Sequence, residues 1–575
     1  MRLPRILEFS DEESVTTRFL GVNYSDASSE EELTDAENLS TRAFPLIAPR
    51  RARQLVHKLT DPQGMIAHEK LFFIDDGNLY WGGVKVEGAS VSQGEKMLAA
   101  IGAYIAIFPD KVLFNTQTLS LEPMENRVQT QEKATVSLCA DAGGGAFSAV
   151  PVSSGAAPQE PSDGALWIDT SDSVSVLKKW SAQSGMWAAV TQTYVKIAAA
   201  GIGAGFSQHD GVTIEGAGTL DGDYSLEGCG KDFIVVTALI NAPCQTEGTV
   251  TVARRVPDLS LVLGFENRLW GCSADGHTIY ASKLGDAKNW NCFMGLASDS
   301  YAMTIGAPGP FTGCTSHMGS VLFLKRDALF RIYGTKPSNF QLNVLNARGA
   351  SKGSRKSCAV LNETLYYLSD EGPLCCDGGL PAPFSRALSA LRLKNGCAAA
   401  HMGRWYLSCE DANGDWQLFV YDEALGLWQR EDSTHARCFA SCGEGLYFID
   451  DDKNLVLIGG ESPYRFPDTA AEQTVAWRAR TAQIGLCDTK HQRVRRVCVR
   501  GHLMRGSSLR VYARFDADED WKLVSSHSHA GLFTASIPIR SRRAQTLTLE
   551  FRGTNDARIY AVSRIRDRES ERGGA

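Results

Sequence analysis

The chain has 575 residues, of which 43% are hydrophobic and 22% are charged. This composition excludes a largely disordered chain, and the length exceeds what one hydrophobic core organises, so we expect two to four domains. No apolar run is long enough for a signal peptide core or a membrane-spanning helix. We therefore expect neither an export signal nor a spanning segment.

The fifteen cysteines are scattered along the chain and never form a CxxC pair. Without an export signal, they are expected to be reduced, buried thiols. Cys375 and Cys376 are adjacent, and Cys438 and Cys442 are four residues apart. Neither spacing is typical of a structural zinc site, so no bound zinc is predicted.

The formal net charge of −7 is unevenly distributed. Residues 1–40 carry a net charge of −7, residues 470–575 carry +9, and the middle of the chain carries about −9. Oppositely charged ends can steer neighbouring copies together, or they can simply keep the surface soluble. The sequence leaves both interpretations open.

The commonest pattern in the chain is a strand, a tight polar turn and a second strand. Turns such as Asp76-Gly77 contain residues that tolerate the positive φ of two-residue hairpins. Seven such units occur, at residues 70–83, 102–117, 267–285, 319–334, 362–376, 403–422 and 443–460. The later units recur every 40–50 residues or so, which is the length of a four-stranded propeller blade. The sequence therefore predicts an all-β protein with a β-propeller of six to seven blades.

Two segments depart from this repeat. Residues 121–258 contain a Gly/Ser-rich linker and a compact β-like unit, and we predict a domain inserted between blades. After residue 467, six short alternating segments predict a C-terminal β-sandwich. The predicted domains are an N-terminal arm with an acidic start (1–62), the first blades (63–120), the insertion (121–258), the remaining blades (259–466) and the sandwich (467–575).

Motifs for catalysis or cofactor binding are absent from the sequence. The segment 271–276 (GCSADG) lacks the spacing of a serine-hydrolase elbow, and no phosphate-loop motif occurs. A GxGxG run at 201–205 has neither the strand–helix context nor the acidic partner of a dinucleotide site. His527 and His529 lack a third nearby ligand. No catalytic, cofactor-binding or metal-binding residue is assigned, and we expect a protein that is not an enzyme.

Acidic and basic clusters have two interpretations each. Asp75-Asp76 and residues 450–452 are typical turn acids, with calcium binding as the alternative. Residues 408–416 (SCEDANGDW) are similar to the Asp-box turn of sialidases, but their spacing differs from it. The arginines within 49–53, 493–496 and 540–543 would contact either neighbouring subunits or phosphates, and we favour protein contacts.

Several segments resemble structural proteins of phage particles. Residues 35–53 (DAENLSTRAFPLIAPRRAR) are similar to an opening motif of tail nozzle, or tubular tail, propeller proteins. Residues 102–116, 283–290 and 537–565 resemble other segments of these proteins. Residues 166–173 (LWIDTSDS), with Trp180 and Trp187, are similar to a module of phage tail and fibre proteins.

The resemblance implies a ring, commonly sixfold, in the tail or head-to-tail connector, acting as nozzle, adaptor or stopper. Its partners would be copies of itself, portal or adaptor proteins, other tail proteins, and genomic DNA passing without sequence specificity. The expected location is the virion, assembled in the cytoplasm of the bacterial host. The alternative is a receptor- or carbohydrate-binding, or glycosidase-like, propeller of the tail. Trp167, Trp180 and Trp187 would then stack on sugars rather than fill a core.

Overall fold

The computed structural model describes residues 10–485, 493–515, 520–538 and 546–568. Its regular elements are almost all strands, and its helices are the short 3-10 turns Thr41–Ala43, Gly218–Leu220 and Pro337–Asn339. In this part of the chain, no helix has the length and hydropathy needed to cross a bilayer. The all-β prediction is therefore confirmed.

Seven of the described sheets are antiparallel meanders, each built on one of the seven predicted hairpins, and we call them blades 1 to 7. Blades 1 and 2 contain Pro62–His68, Lys70–Asp75, Asn78–Trp81 and Val84–Ser90, and then Met97–Ile101, Tyr104–Phe108, Val112–Asn115 and Ser120–Pro123. Blades 3 and 4 contain Leu259–Phe265, Arg268–Ser273, Thr278–Ala281 and Tyr301–Thr304, and then Gly313–His317, Ser320–Lys325, Ala328–Tyr333 and Gln341–Leu345.

Blades 5 to 7 complete the propeller sheets. Blades 5 and 6 contain Ala359–Leu361, Thr364–Ser369, Gly372–Cys376 and Ala382–Pro383, and then Lys394–His401, Arg404–Glu410, Trp416–Asp422 and Leu427–Arg430. Blade 7 contains Ala436–Cys442, Gly445–Asp450 and Asn454–Ile458, with Gln54–Lys58 and Ala470–Ala471 at its edge. The edge strand Gln54–Lys58 pairs with Asn454–Ile458, about 400 residues later in the chain.

The insertion follows blade 2 and precedes blade 3. Six strands form a closed barrel, in the order Asn126–Cys139, Tyr194–Ala198, Phe233–Thr237, Gly222–Gly230, Gly211–Glu215 and Cys244–Arg254. A separate small sheet lies between its first two strands in sequence and contains Val152–Ser154, Leu166–Asp169, Val176–Ser181 and Met186–Ala189. Val136, Ile197, Ile234 and Val252 fill the barrel core.

The C-terminal domain is a two-sheet sandwich, as predicted. Sheet A has the order Ser10–Thr16, Ala557–Arg568, Arg493–Leu503 and Gly531–Pro538. Sheet B has the order Leu33–Glu37, Ala476–Thr481, Leu547–Thr554, Ser508–Phe515 and Lys522–His527. Two of these strands come from the N-terminal arm, which the sequence did not predict. Of the basic segments, 540–543 lies outside the described residues.

Contacts between Cα atoms divide the chain into two compact units. Unit 1 is Met1–Glu95, Thr312–Phe330 and Val344–Ala575, and it contains the sandwich with blades 1, 5, 6 and 7. Unit 2 is Lys96–Phe311 and Arg331–Asn343, and it contains blades 2 and 3 with the insertion. In unit 1, Trp405, Trp428 and Phe551 are fully buried in one continuous core that joins blades 5 and 6 to the sandwich.

Candidate functional site

A concave site of unit 1, here called the propeller pocket, lies among blades 1, 6 and 7 and has a volume of about 540 Å³. That volume is within the range of small-molecule sites. Its walls come mainly from the first strands of these blades and from the loops before blades 2 and 5, with Trp416 from the third strand of blade 6. The side chains that carry charge or an aromatic ring are Asp61, Glu95, Arg355, Lys356, Trp416, His435 and Arg437.

A carboxylate bridged by two cations forms one side of the propeller pocket. Glu95 accepts hydrogen bonds from Arg355 Nη2 at 2.5 Å and from Lys356 Nζ at 2.8 Å. Burial by itself raises the pKa of Glu95, but Lys356 and Arg355 outweigh it and lower that pKa to about 2. Glu95 is therefore ionised at neutral pH, and it can accept hydrogen bonds from ligand hydroxyls but cannot donate a proton.

An aromatic pair forms another part of the wall. The rings of Trp416 and His435 are stacked with their centroids 3.4 Å apart and their planes 10° from parallel. Burial lowers the pKa of His435 and outweighs the opposite effect of Asp451, whose Oδ1 lies 3.5 Å from Nδ1. The imidazole is therefore neutral at neutral pH, and the stack is a flat and uncharged surface beside the ion pairs.

Two cysteines also line the propeller pocket. Burial raises the pKa of the Cys397 thiol to about 12 and also raises that of Cys438, so both are protonated at neutral pH. Since the thiolate is the nucleophile, these thiols are unsuited to nucleophilic catalysis. Their role here is to pack beneath the pocket.

The acidic turn residues singled out in the sequence lie in hairpin or loop positions. Asp75 accepts hydrogen bonds from the backbone of Thr60 and Asp61, and Asp411 accepts from the backbone of Asn413 and Asp415. Asp450 accepts from the backbone of Asn454. Among the described residues, no group of three or more His, Cys, Asp or Glu is arranged to hold a metal ion.

The three tryptophans of the insertion are in contact with one another. Trp167 is buried and donates from Nε1 to the carbonyl oxygen of Ser154 at 3.0 Å. Trp187 lies 5.4 Å from both Trp167 and Trp180, centroid to centroid. Trp180 and Trp187 are half-buried. One ring therefore belongs to the core of the small sheet, and the other two are partly accessible.

The sequence assigned no residue to the propeller pocket. Its charged and aromatic side chains come from five separate regions, from Asp61 to Arg437, and no short motif connects them. The one available signal was position, because several of them fall at the start of a predicted blade. Propeller sites assembled this way are difficult to recognise from spacing alone.

Comparison with known proteins gives no family: no family model matches the chain, and no curated protein matches it. Similar solved structures include an exo-β-1,3-galactanase from Phanerochaete chrysosporium, 9% identical, with a TM-score of 0.19 over 53% of this chain and 94% of that one. A bifunctional GH43-CE protein of Bacteroides eggerthii is 9% identical, with a TM-score of 0.21 over 55% of this chain and 63% of the other.

A dihydro-heme d1 dehydrogenase, NirN, is 12% identical, with a TM-score of 0.26 over 65% of this chain and 67% of that one. Scores this low carry no argument about what this chain binds. From the sequence we expected a protein that is not an enzyme, whereas glycoside hydrolases are among these similar structures. We correct it: the lack of short catalytic motifs does not exclude enzymatic activity on such a scaffold.

Proposed function

We propose that this chain is a carbohydrate-binding β-propeller protein whose saccharide site is the propeller pocket. One observation carries the proposal: the Trp416–His435 stack and the ion-paired Glu95 line the same concave pocket. A flat aromatic surface packs against the C–H face of a sugar ring, while charged groups bond its hydroxyls. A pocket with both elements suits a neutral or weakly charged saccharide better than an apolar ligand.

The test is a glycan array with the full chain, followed by calorimetry on the glycans that bind. Trp416→Leu and Glu95→Gln should each weaken binding at least tenfold, because each removes one half of the recognition surface. Trp187→Leu in the insertion is the matched control and should bind as the parent does. An array on which no glycan binds overturns the proposal. A loss of binding in Trp187→Leu without any loss in Trp416→Leu also overturns it.

Glycoside hydrolysis is the finer form of this proposal. Glu95 is held ionised, which suits the nucleophile or general base of a carboxylate pair. Asp61 is the other exposed carboxylate of the pocket wall. Release of reducing sugar from a bound glycan, lost in Glu95→Gln even at glycan concentrations that saturate this variant, would support this form. Intact glycan after prolonged incubation with the parent chain would overturn it.

A second proposal is that the chain is a structural component of a phage particle. The observation that favours it concerns residues 35–53, the segment that resembles phage structural proteins. Arg50 pairs with Glu472, next to the edge strand of blade 7, and Arg53 pairs with Glu431, next to the last strand of blade 6. The segment is therefore bound to both blades. An architectural role of this kind is consistent with the structural protein that the resemblance implies.

In this proposal the chain forms a ring, commonly sixfold, as nozzle, adaptor or stopper in the virion, with portal and tail proteins as neighbours and DNA in its channel. The two proposals are compatible if the protein is a receptor-binding component of the tail. Electron microscopy of particles with this chain labelled is the test. Density for a ring on the DNA axis supports the connector or nozzle form, and peripheral copies support the receptor-binding form. Absence of the chain from particles overturns both of these forms of the second proposal.

A further inference from the structure

The outer face of sandwich sheet B carries five arginines. Along each strand, alternate residues are buried in the sandwich core, as Leu509, Val511 and Phe551 are, and the residues between them face outward. The outward positions include Arg478, Arg480, Arg510, Arg514 and Arg552. An open groove of about 530 Å³ runs across this face. Such a concentration of one charge on one sheet face is not required by the fold.

Three of these arginines form a row across adjacent strands, which we call the arginine row. Arg552 is directly opposite Arg478 on one side and Arg510 on the other. All three line the groove. Adjacent strands are about 4.8 Å apart, so the row extends over roughly 10 Å. Like charges directly opposite each other destabilise a sheet unless an opposite charge compensates them.

The compensation within the chain is incomplete. Arg478 pairs with Asp35 at 2.9 Å and with Glu37 at 3.5 Å, and Arg552 pairs with Glu550 at 2.6 Å. Glu550 is fully buried and also pairs with Arg480 at 2.7 Å, so one carboxylate serves two guanidinium groups. Among the residues that the structure describes, Arg510 is exposed and has no carboxylate within ion-pair distance. The row therefore presents uncompensated positive charge at its Arg510 end.

The aromatic rings of this face are already covered. The guanidinium of Arg552 lies 4.4 Å from the ring centre of Tyr512. Arg480 and Arg514 lie 5.1 and 4.9 Å from the ring centre of Trp521. Rings covered by arginines are not available to stack on unpaired bases, which is how single-stranded nucleic acid is usually held. Phosphate oxygens, by contrast, match the donors that these guanidinium groups direct outward.

We propose that the arginine row binds the phosphodiester backbone of duplex DNA without sequence preference. Recognition is by charge and by paired N–H donors, so base identity is not read. The proposal is independent of the saccharide site, which lies among the propeller blades.

The test is fluorescence anisotropy of the full chain with a duplex of mixed sequence, titrated between about 50 and 200 mM salt. Each lost phosphate contact should reduce the slope of log affinity against log salt by about 0.9. We expect a reduction of about one for Arg510→Gln and two to three for the triple variant Arg478→Gln, Arg510→Gln, Arg552→Gln, with at least tenfold weaker binding at low salt. Arg510→Glu should bind more weakly than Arg510→Gln.

Arg510→Gln distinguishes lost DNA contact from misfolding, because it leaves the ion pairs of Glu550 and Asp35 intact. The matched control is the triple variant Arg255→Gln, Arg326→Gln, Arg465→Gln, which removes the same charge from three exposed arginines elsewhere. It should keep the parent slope. Three results would each overturn the proposal: an equal reduction of the salt slope in this control, an unchanged slope in the Arg510 variants, or binding of a sulphated polysaccharide without binding of DNA.

Discussion

Replacing Arg53 tests how the N-terminal arm is held to the propeller. The side chain of Arg53 is 10% exposed and donates to Glu431 at 2.6 Å and to Asp432 at 2.8 Å, and Glu431 is itself only 6% exposed. Arg53→Met keeps much of the packing but leaves the buried Glu431 and the partly buried Asp432 with Arg50 as their remaining cation, at 3.8–3.9 Å. The penalty is the cost of poorly compensated buried charge.

Removing one partner of a buried ion pair costs about 3–5 kcal/mol. Because Arg50 remains close, we expect the lower end, about 3 kcal/mol, which is roughly a hundredfold in the unfolding equilibrium constant. Arg53→Lys keeps the charge but loses the forked donors, so its cost should be about 1–2 kcal/mol. The order of the two variants separates lost charge from lost geometry.

The assay is urea unfolding of the full chain, read by amide hydrogen exchange in Gln54–Lys58 and Asn454–Ile458, so that the change is assigned to blade 7. Arg465→Met is the control: its pair with Glu461 is exposed, and its loss should cost less than about 0.5 kcal/mol. A cost below about 1 kcal/mol for Arg53→Met, or one no larger than the control, would refute the reasoning.

Three further predictions follow from single observations. Burial raises the folded-state pKa of Asp432 and Glu472, but Arg53 and Arg50 outweigh it and lower both pKa values. The stability that these carboxylates contribute is therefore present at neutral pH and is lost as the pH falls below about 4. In a series of melting temperatures against pH, Asp432→Asn should reduce the fall in melting temperature below that pH. A Cβ on Gly264 would overlap the carbonyl oxygen of Ala100, so Gly264→Ala should cost about 1–3 kcal/mol in thermal unfolding, whereas Gly248→Ala, with open space around it, should be neutral. Iodoacetamide at pH 8 should label the exposed Cys244 and not Cys397, whose thiol has a pKa of about 12; mass spectrometry that finds Cys397 alkylated in the folded chain would contradict this.

The sequence by itself determined the blades. In blade 1, Asp76 and Gly77 both adopt positive φ, at 48° and 73°, and the flanking strands pair in the register that this tight turn sets. Turn geometry is a local property of two residues, and strand alternation is a local property of six or eight, so both can be read from a window of sequence. The same local patterns predicted six of the seven described C-terminal sandwich strands near their observed positions and missed Ala476–Thr481.

Only the tertiary structure decided which distant segments pair. Gln54–Lys58 completes blade 7, and Ser10–Thr16 and Leu33–Glu37 join the sandwich, because an open sheet edge accepts any strand whose buried face matches. The propeller pocket has the same origin: Glu95, Arg355 and Trp416 are separated by up to about 320 residues and meet because blades pack side by side. Alternation within a strand determines which side chains face the core, but not which strand or which side chain will lie opposite, because that depends on long-range packing.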